Sequence, residues 1–214
     1  DKRQRLAEMS TYKVYGTTFY CDPNYSFIGP LGRGAYGVVC AARHKESRDK
    51  VAIKKITPMA KTAIDAKHTL REIRLQRLLG RHRNIITLRD LYAREAQDEL
   101  YIVMDFMDTD LHRVIQSDQD LTEQHFKHFM YQLLRGIGYM QASNVLHRDL
   151  KPGNLLVTRH CDLVISDFGL ARMEPEEAEK KMTEHVVTRW YRPPELMLCP
   201  DGNYDSSVDM WSVG

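Results

Sequence analysis

The stretch His147-Arg148-Asp149-Leu150-Lys151-Pro152-Gly153-Asn154 places three chemically distinct groups close together. Asp149 can accept a hydroxyl proton, Lys151 can steady a phosphate in transfer, and Asn154 offers an amide oxygen to a metal. Ser166-Asp167-Phe168-Gly169 follows a short apolar run, Leu163-Val164-Ile165, which puts a second carboxylate at a strand end where Mg²⁺ could bridge it to phosphate oxygens. One acidic residue in a turn is ordinarily just a turn residue. The weight therefore rests on the ordered set.

Three further elements precede that set. Gly32-Arg33-Gly34-Ala35-Tyr36-Gly37-Val38-Val39 contains G-x-G-x-x-G, whose glycines allow backbone to approach phosphates closely. Taken alone it is a glycine-rich hairpin turn, and a dinucleotide loop would require a helix to follow, whereas Val38 to Arg43 reads as a strand. Lys54 ends the apolar run Val51-Ala52-Ile53, where a lysine is ordinarily solvated. Glu72, inside the next amphipathic stretch, changes that reading, because a lysine that grips nucleotide phosphates needs a carboxylate to orient it.

The elements that must position these residues follow from periodicity. Short β-type runs occupy Ser26 to Leu31, Val38 to Arg43, Val51 to Ile56, Ile85 to Tyr92 and Leu100 to Met104. A helix is expected from about Thr62 to Leu79, with Leu70, Ile73, Leu75, Leu78 and Leu79 near helical spacing and Gly80 as its stop. Leu121 to Gln141 carries Phe126, Phe129, Met130, Leu133, Leu134, Ile137 and Met140, the stripe of a buried amphipathic helix with Thr122 as its N-cap. His125 and His128 on that helix lack a third metal ligand nearby and read as solvent-facing. A strand-rich half thus precedes a helix-rich half, an α+β arrangement.

Composition narrows the class. The 214 residues are 43% apolar, as expected of a globular domain, and the formal charge of +2 gives no reason to expect nucleic acid or an acidic membrane as partner. Cys21, Cys40, Cys161 and Cys199 form no C-x-x-C, which fits a reducing compartment. No apolar run approaches the roughly 20 residues needed to span a bilayer, and the start lacks the apolar stretch of a signal peptide. The expectation is a soluble intracellular protein. The absence of an initiator Met and the stop at Trp211-Ser212-Val213-Gly214 suggest a fragment.

From Gly32 to the Asp209-Met210-Trp211-Ser212-Val213-Gly214 that opens a large-lobe helix, the chain resembles the eukaryotic protein kinases. The resemblance implies a bilobal fold: an extension over 1–25, a small antiparallel β-sheet lobe with one regulatory helix over 26–104, a hinge at 105–108 and an incomplete, mainly helical large lobe over 109–214. It implies ATP and Mg²⁺ as cofactors. Gly32, Gly34, Gly37, Val39, Ala52, Lys54, Met104, Asp105, Met107 and Leu156 then correspond to the nucleotide site, with Met104 at the back of the adenine pocket. Lys54 contacts the α/β-phosphates, Glu72 pairs with it, Asp149 is the base, Lys151 assists transfer, and Asn154 and Asp167 hold the metal. Lys151 is the serine/threonine form of its motif.

Trp190-Tyr191-Arg192 is similar to the group of mitogen-activated and cyclin-dependent kinases, where an arginine at the Arg192 position favours proline after the acceptor. Thr188, Arg189 and Arg192 are the implied substrate-recognition residues. Arg189, Met107-Asp108-Thr109-Asp110-Leu111-His112 and Phe129 to Gly136 favour the mitogen-activated family over a cyclin-dependent-like enzyme. A phosphate on Thr183 would gather Arg71, Arg148 and Arg172. His185 stands where the family has tyrosine, so it is either a neutral loop substitution or part of a single-phosphate or pH-sensitive switch. The implied partners are protein substrates with Ser/Thr-Pro sites, an upstream kinase and phosphatases, acting on a monomer in the cytoplasm or nucleus. The rival readings are a binding-only pseudokinase, although Lys54, Asp149 and Asp167 are all present, and an inactive fragment. Thr183→Ala is expected to reduce peptide phosphorylation strongly while His185→Ala leaves it near wild type; equal, large losses would contradict the single-phosphate reading.

Overall fold

The computed structural model describes residues 8–34, 37–59, 62–173, 190–198 and 205–214. By their internal contacts the residues group into two units, Asp1–Leu70 with Thr87–Phe106, and Arg71–Ile86 with Met107–Gly214.

The first unit is built on strands. A five-stranded antiparallel sheet has the order β3-β4-β5-β7-β6, formed by β3 (Tyr25–Gly34), β4 (Gly37–His44), β5 (Lys50–Ile56), β6 (Leu88–Arg94) and β7 (Glu99–Asp105). These are the five runs that alternation marks, with β6 starting later than the sequence suggests. Ile85 instead makes a parallel bridge to Ile165 within the second unit. Because side chains alternate across a strand, the register gives each face its residues. Lys54 lies opposite Val39 and Ile102, and Ala52 lies opposite Ala41 and Met104, so all six share one face. The other face carries Cys40, Ile53 and Val103.

That second face is covered by a hairpin in the stretch expected to be only an extension. β1 (Ser10–Val14) and β2 (Thr17–Cys21) pair around Tyr15 and Gly16. Both turn residues have positive φ, 47° and 78°, the geometry of a tight turn that matches strand twist. Phe19 and Cys21 are fully buried in one apolar cluster with Val38, Cys40, Ile53, Tyr101 and Val103. Phe19 meets Tyr101 edge-on at 5.4 Å.

A buried polar network fastens the hairpin to the sheet. Lys55, 3% exposed, donates to the Thr18 carbonyl at 2.5 Å and to Glu99 Oε1 at 2.6 Å. Glu99 Oε2 accepts from Arg94 and from the Tyr101 hydroxyl, each at 3.0 Å. The Tyr20 N–H donates to the Tyr101 oxygen, Tyr92 donates to the Tyr20 carbonyl, and Arg94 lies 3.4 Å over the Tyr20 ring. Burial alone would raise the Glu99 carboxyl, but the hydrogen bonds from Lys55, Tyr101 and Arg94, together with the Lys55 charge, outweigh it and hold the group below its ordinary range.

Helix α1 (Ala63–Leu79) contributes residues to both units. Its buried positions are Glu72, Leu75, Gln76 and Leu79. Leu70 and Leu78, expected on the apolar face, are 48% and 49% exposed. The buried face thus includes two polar side chains that hydrophobic counting could not place there.

In the second unit the antiparallel order β11-β10-β8 joins β8 (Thr109–Asp110), β10 (Leu155–Val157) and β11 (Leu163–Ile165), while β9 (Val145–Leu146) pairs with β12 (Arg172–Met173). α2 (Leu111–Gln116) is capped by Asp110, which accepts the Arg113 N–H at 2.9 Å. α3 (Glu123–Ala142) begins at Thr122, whose N–H donates to His125 Nδ1 at 3.0 Å. His125 is therefore a capping residue. Only part of the expected α3 stripe is buried: Phe129, Leu133, Ile137 and Met140 are, while Phe126, Met130 and Leu134 are between 41% and 53% exposed. Gln132 and Asn84 stitch α3 to β11: Gln132 Oε1 accepts the Leu163 N–H at 2.9 Å, and Asn84 Nδ2 donates to the Leu163 carbonyl at 2.9 Å. Short helices α4 (Pro194–Leu198) and α5 (Ser207–Val213) follow. Among the described residues, no helix is long and apolar enough to cross a membrane.

Glu99→Gln leaves Lys55 buried without its counter-charge, a change expected to cost on the order of 3–5 kcal/mol. Because the folded carboxyl is lowered, its stabilisation is complete above the ordinary glutamate range, about 4.3, and is lost as pH falls through the lower folded value. Thermal melts from neutral to acid pH should show a lower Tm and a flatter acid limb in the variant. The double variant Lys55→Met/Glu99→Gln should regain most of the loss.

Candidate active site

The chemistry-bearing loop of the second unit is fixed by one carboxylate. Asp209 has no exposed surface and accepts the His147 N–H at Oδ2 and the Arg148 N–H at Oδ1, each at 2.8 Å. Arg148 has φ of 68°, a left-handed conformation that costs a non-glycine residue on the order of 1–3 kcal/mol and persists only where the surroundings impose it. The imidazole of His147, also fully buried, continues the brace. Its Nδ1 accepts the Asp149 N–H at 3.3 Å, which places the ring proton on Nε2 to donate to the Ser166 carbonyl at 2.9 Å. The ring packs on Phe168, centroids 5.2 Å apart.

Asp149, 7% exposed, emerges from this brace with both oxygens engaged. Oδ2 accepts from Lys151 Nζ at 2.7 Å and from Asn154 Nδ2 at 3.1 Å. Oδ1 faces Arg192 at 3.5 Å. Asn154 Nδ2 donates as well to the Asp149 carbonyl at 2.8 Å, so its amide nitrogen is committed to Asp149 and its amide oxygen is the atom left for a cation.

Asp167 is brought to Asn154 by strand register. Leu155 pairs with Ile165, and the Asn154 carbonyl accepts both the N–H and the hydroxyl of Ser166, at 2.9 and 3.0 Å. Asp167 comes next, again left-handed at φ 65°. One amide oxygen and one carboxylate are hard donors suited to Mg²⁺, which is commonly held by one or two carboxylates plus substrate phosphates. Among the described residues no group of three or more His, Cys, Asp or Glu stands together as a metal cage.

The other expected nucleotide residues lie on the first unit, apart from Met107 and Leu156 on the second. Val39, Ala52, Lys54 and Met104 share one sheet face. Asp105 is held by Arg89 at 2.5 Å, and its N–H donates to the Thr87 carbonyl at 3.2 Å, so its backbone can offer a ligand only the carbonyl. Gly32 and Gly34 have open space where a side chain would stand. Gly37 is different: φ is +149°, and a methyl there would run into the Lys55 carbonyl oxygen. Leu156 is half-buried on β10. Glu72 is buried in α1.

The three arginines of the expected phosphate pocket all belong to the second unit. Arg71 is in α1, Arg172 pairs with Leu146 in the strand that leads into Arg148. Thr183, His185, Thr188 and Arg189 lie outside the described residues. Reasoning from sequence missed Asp209, Ser166 and Ser212 as supports; Ser212 Oγ donates to the Tyr191 carbonyl at 2.7 Å. An acidic first turn and a serine in a helix are too common to single out.

With this geometry in place, sequence comparison is informative. Residues 25–214 match the model of the protein kinase domain. The chain is 52% identical over 206 residues to mitogen-activated protein kinase 7 of Arabidopsis thaliana, covering 95% of this chain and 55% of that protein. It is 51% identical to mitogen-activated protein kinase homolog 1 of Petunia hybrida, covering 95% and 53%, and 52% identical to mitogen-activated protein kinase 6 of Oryza sativa subsp. japonica, covering 95% and 54%. The chain spans about half the length of these curated relatives.

Asp209→Asn turns one acceptor into a donor facing a backbone N–H and is expected to cost about 2–4 kcal/mol. Asp205→Asn, exposed and just before the same helix, should leave the midpoint close to wild type, because the amide oxygen can still accept the Ser207 N–H. Urea denaturation of the two variants in parallel checks the contrast.

Proposed function

The chain belongs to the protein kinases, and from that premise we propose that it serves an ATP-dependent serine/threonine kinase of the mitogen-activated type. The observation that carries the reading is the hydrogen-bonded set of buried Asp149 and Asn154 with half-buried Lys151, with Asp167 delivered beside it by the β10–β11 register. In this reading the acceptor hydroxyl oxygen bonds to the γ-phosphorus as the bond to the ADP oxygen breaks, and the hydroxyl proton passes to Asp149. Lys151, already 2.7 Å from Asp149, stands where charge on the moving phosphoryl group needs neutralising. Asn154 and Asp167 would hold Mg²⁺, which neutralises charge on the nucleotide phosphates. Lys54 would contact the α/β-phosphates with Glu72 as its orienting partner, and Gly32, Gly34 and Gly37 would let backbone close on them.

By resemblance, Ala52 and Met104 on the sheet face of the first unit and Leu156 on the second correspond to the family's adenine-binding positions, with Asp105 and Met107 as its backbone-contact positions. Proline direction rests on the Trp190-Tyr191-Arg192 resemblance, with Thr188 and Arg189 beside it. Activation rests on Thr183 with Arg71, Arg148 and Arg172. We place the protein inside the cell, cytoplasmic or nuclear, acting as a monomer on Ser/Thr-Pro substrates under an upstream kinase and phosphatases; the cysteine spacing supports a reducing compartment.

Asp149→Asn in the full-length protein should lower phosphorylation of a Ser/Thr-Pro peptide about 10²- to 10⁴-fold while ATP binding persists. A peptide library assayed with the wild-type protein reads activity and proline preference together. Transfer that ignores proline, or survives Asp149→Asn, would overturn the reading.

A further inference from the structure

The ion pair between Arg192 and Asp149 is not used by the chemistry just described. Arg192 Nη2 is 3.5 Å from Asp149 Oδ1, with the two side chains 13% and 8% exposed. Oδ2 is already taken by Lys151 and Asn154. Oδ1 is therefore the oxygen a substrate hydroxyl or water must reach to give up its proton, and a guanidinium stands in front of it.

Arg192 is built into that position. Its own main-chain neighbour is fastened by Ser212, whose Oγ donates to the Tyr191 carbonyl at 2.7 Å. Ser212 lies on α5, the helix whose Asp209 holds the loop carrying Asp149. Leu196 from α4, Val208 from α5 and Leu146 from β9 form one buried apolar cluster beneath both. One short helix thus sets the base and the arginine against each other. The fit is nevertheless loose. At 3.5 Å the contact is an ion pair rather than a strong charge-assisted hydrogen bond, and Arg192 Nε is buried without a hydrogen-bond partner among the described residues. A guanidinium held to its carboxylate by so long an ion pair is easily displaced.

We propose that Arg192 is a latch on Asp149: it occupies the proton-accepting oxygen in this state and must swing away before an acceptor can bind there. The proposal rests on the kinase reading above. Arg192 acts through Asp149, as a positioning residue, and the latch sets the fraction of molecules with an open Oδ1.

The test is basal ATP hydrolysis by the full-length, unphosphorylated protein, since water as acceptor needs Asp149 but no peptide pocket. Arg192→Gln should raise kcat severalfold, because the fraction of molecules with an open Oδ1 rises, with KM for ATP unchanged. Arg192→Lys keeps the charge and bulk but lacks the fork and should raise kcat about twofold. It also serves as the deciding variant if Arg192→Gln does not melt cooperatively. Basal kcat equal to or below wild type in the folded variant overturns the latch. Wild-type protein that, once phosphorylated by an upstream kinase, transfers nothing to any Ser/Thr-Pro peptide overturns the kinase reading instead.

Discussion

Asp209 accepts two consecutive backbone N–H groups, those of His147 and Arg148, from a position with no solvent contact. A buried carboxylate is expensive to leave without partners, so this one compels the backbone to present those two groups together. Presenting both requires the left-handed turn at Arg148, and that turn aims Asp149 into the company of Lys151 and Asn154. The His147 ring then reaches the Ser166 carbonyl, which aligns the residue before Asp167. Asp149, Asn154 and Asp167 inherit their places from a single acceptor.

Apolar packing and directional bonding act together here. Leu146, Leu150, Leu155, Ile165 and Phe168 are buried around the loop, Leu146 clusters with Leu196 and Val208, and hydrogen bonds fix the orientation that packing alone leaves free. The first unit solves its problem similarly: Lys55 and Glu99 satisfy each other and the Thr18 carbonyl, Arg94 and Tyr101 at the interface of hairpin and sheet. Polar networks of this kind specify geometry when every member is satisfied, and they penalise any partial loss.

The sequence made the local features readable and left the long-range ones hidden. β4 and β5 stand out because Val38-Val39-Cys40-Ala41-Ala42 and Val51-Ala52-Ile53 are short β-type apolar runs between turn residues, and α3 because its apolar residues recur at helical spacing. The hairpin at Ser10–Cys21 was also within reach, since two β-type runs around Tyr15-Gly16 are the usual mark of a tight turn. What periodicity could not deliver is which half of a stripe is buried. On α1 the buried set includes Glu72 and Gln76, and on α3 it excludes Phe126 and Met130, because tertiary neighbours decide burial, not hydropathy. Within the site, Asp149, Lys151, Asn154 and Asp167 were marked by type and spacing. Asp209 was not, as its partners lie some sixty residues upstream and nothing local distinguishes it from any acid in a helix's first turn.

The kinase domain match begins at residue 25, yet the sheet's buried face is completed by Phe19 and Cys21, and the Lys55 ammonium is received in part by the Thr18 carbonyl. The border of the recognisable family and the border of the cooperative folding unit therefore differ by about one hairpin. A polypeptide beginning at residue 25 would keep Lys54, Asp149, Asn154 and Asp167 and still turn Cys40, Ile53, Tyr101 and Val103 toward water. The span that carries the family's motifs is therefore shorter than the span that buries this sheet face.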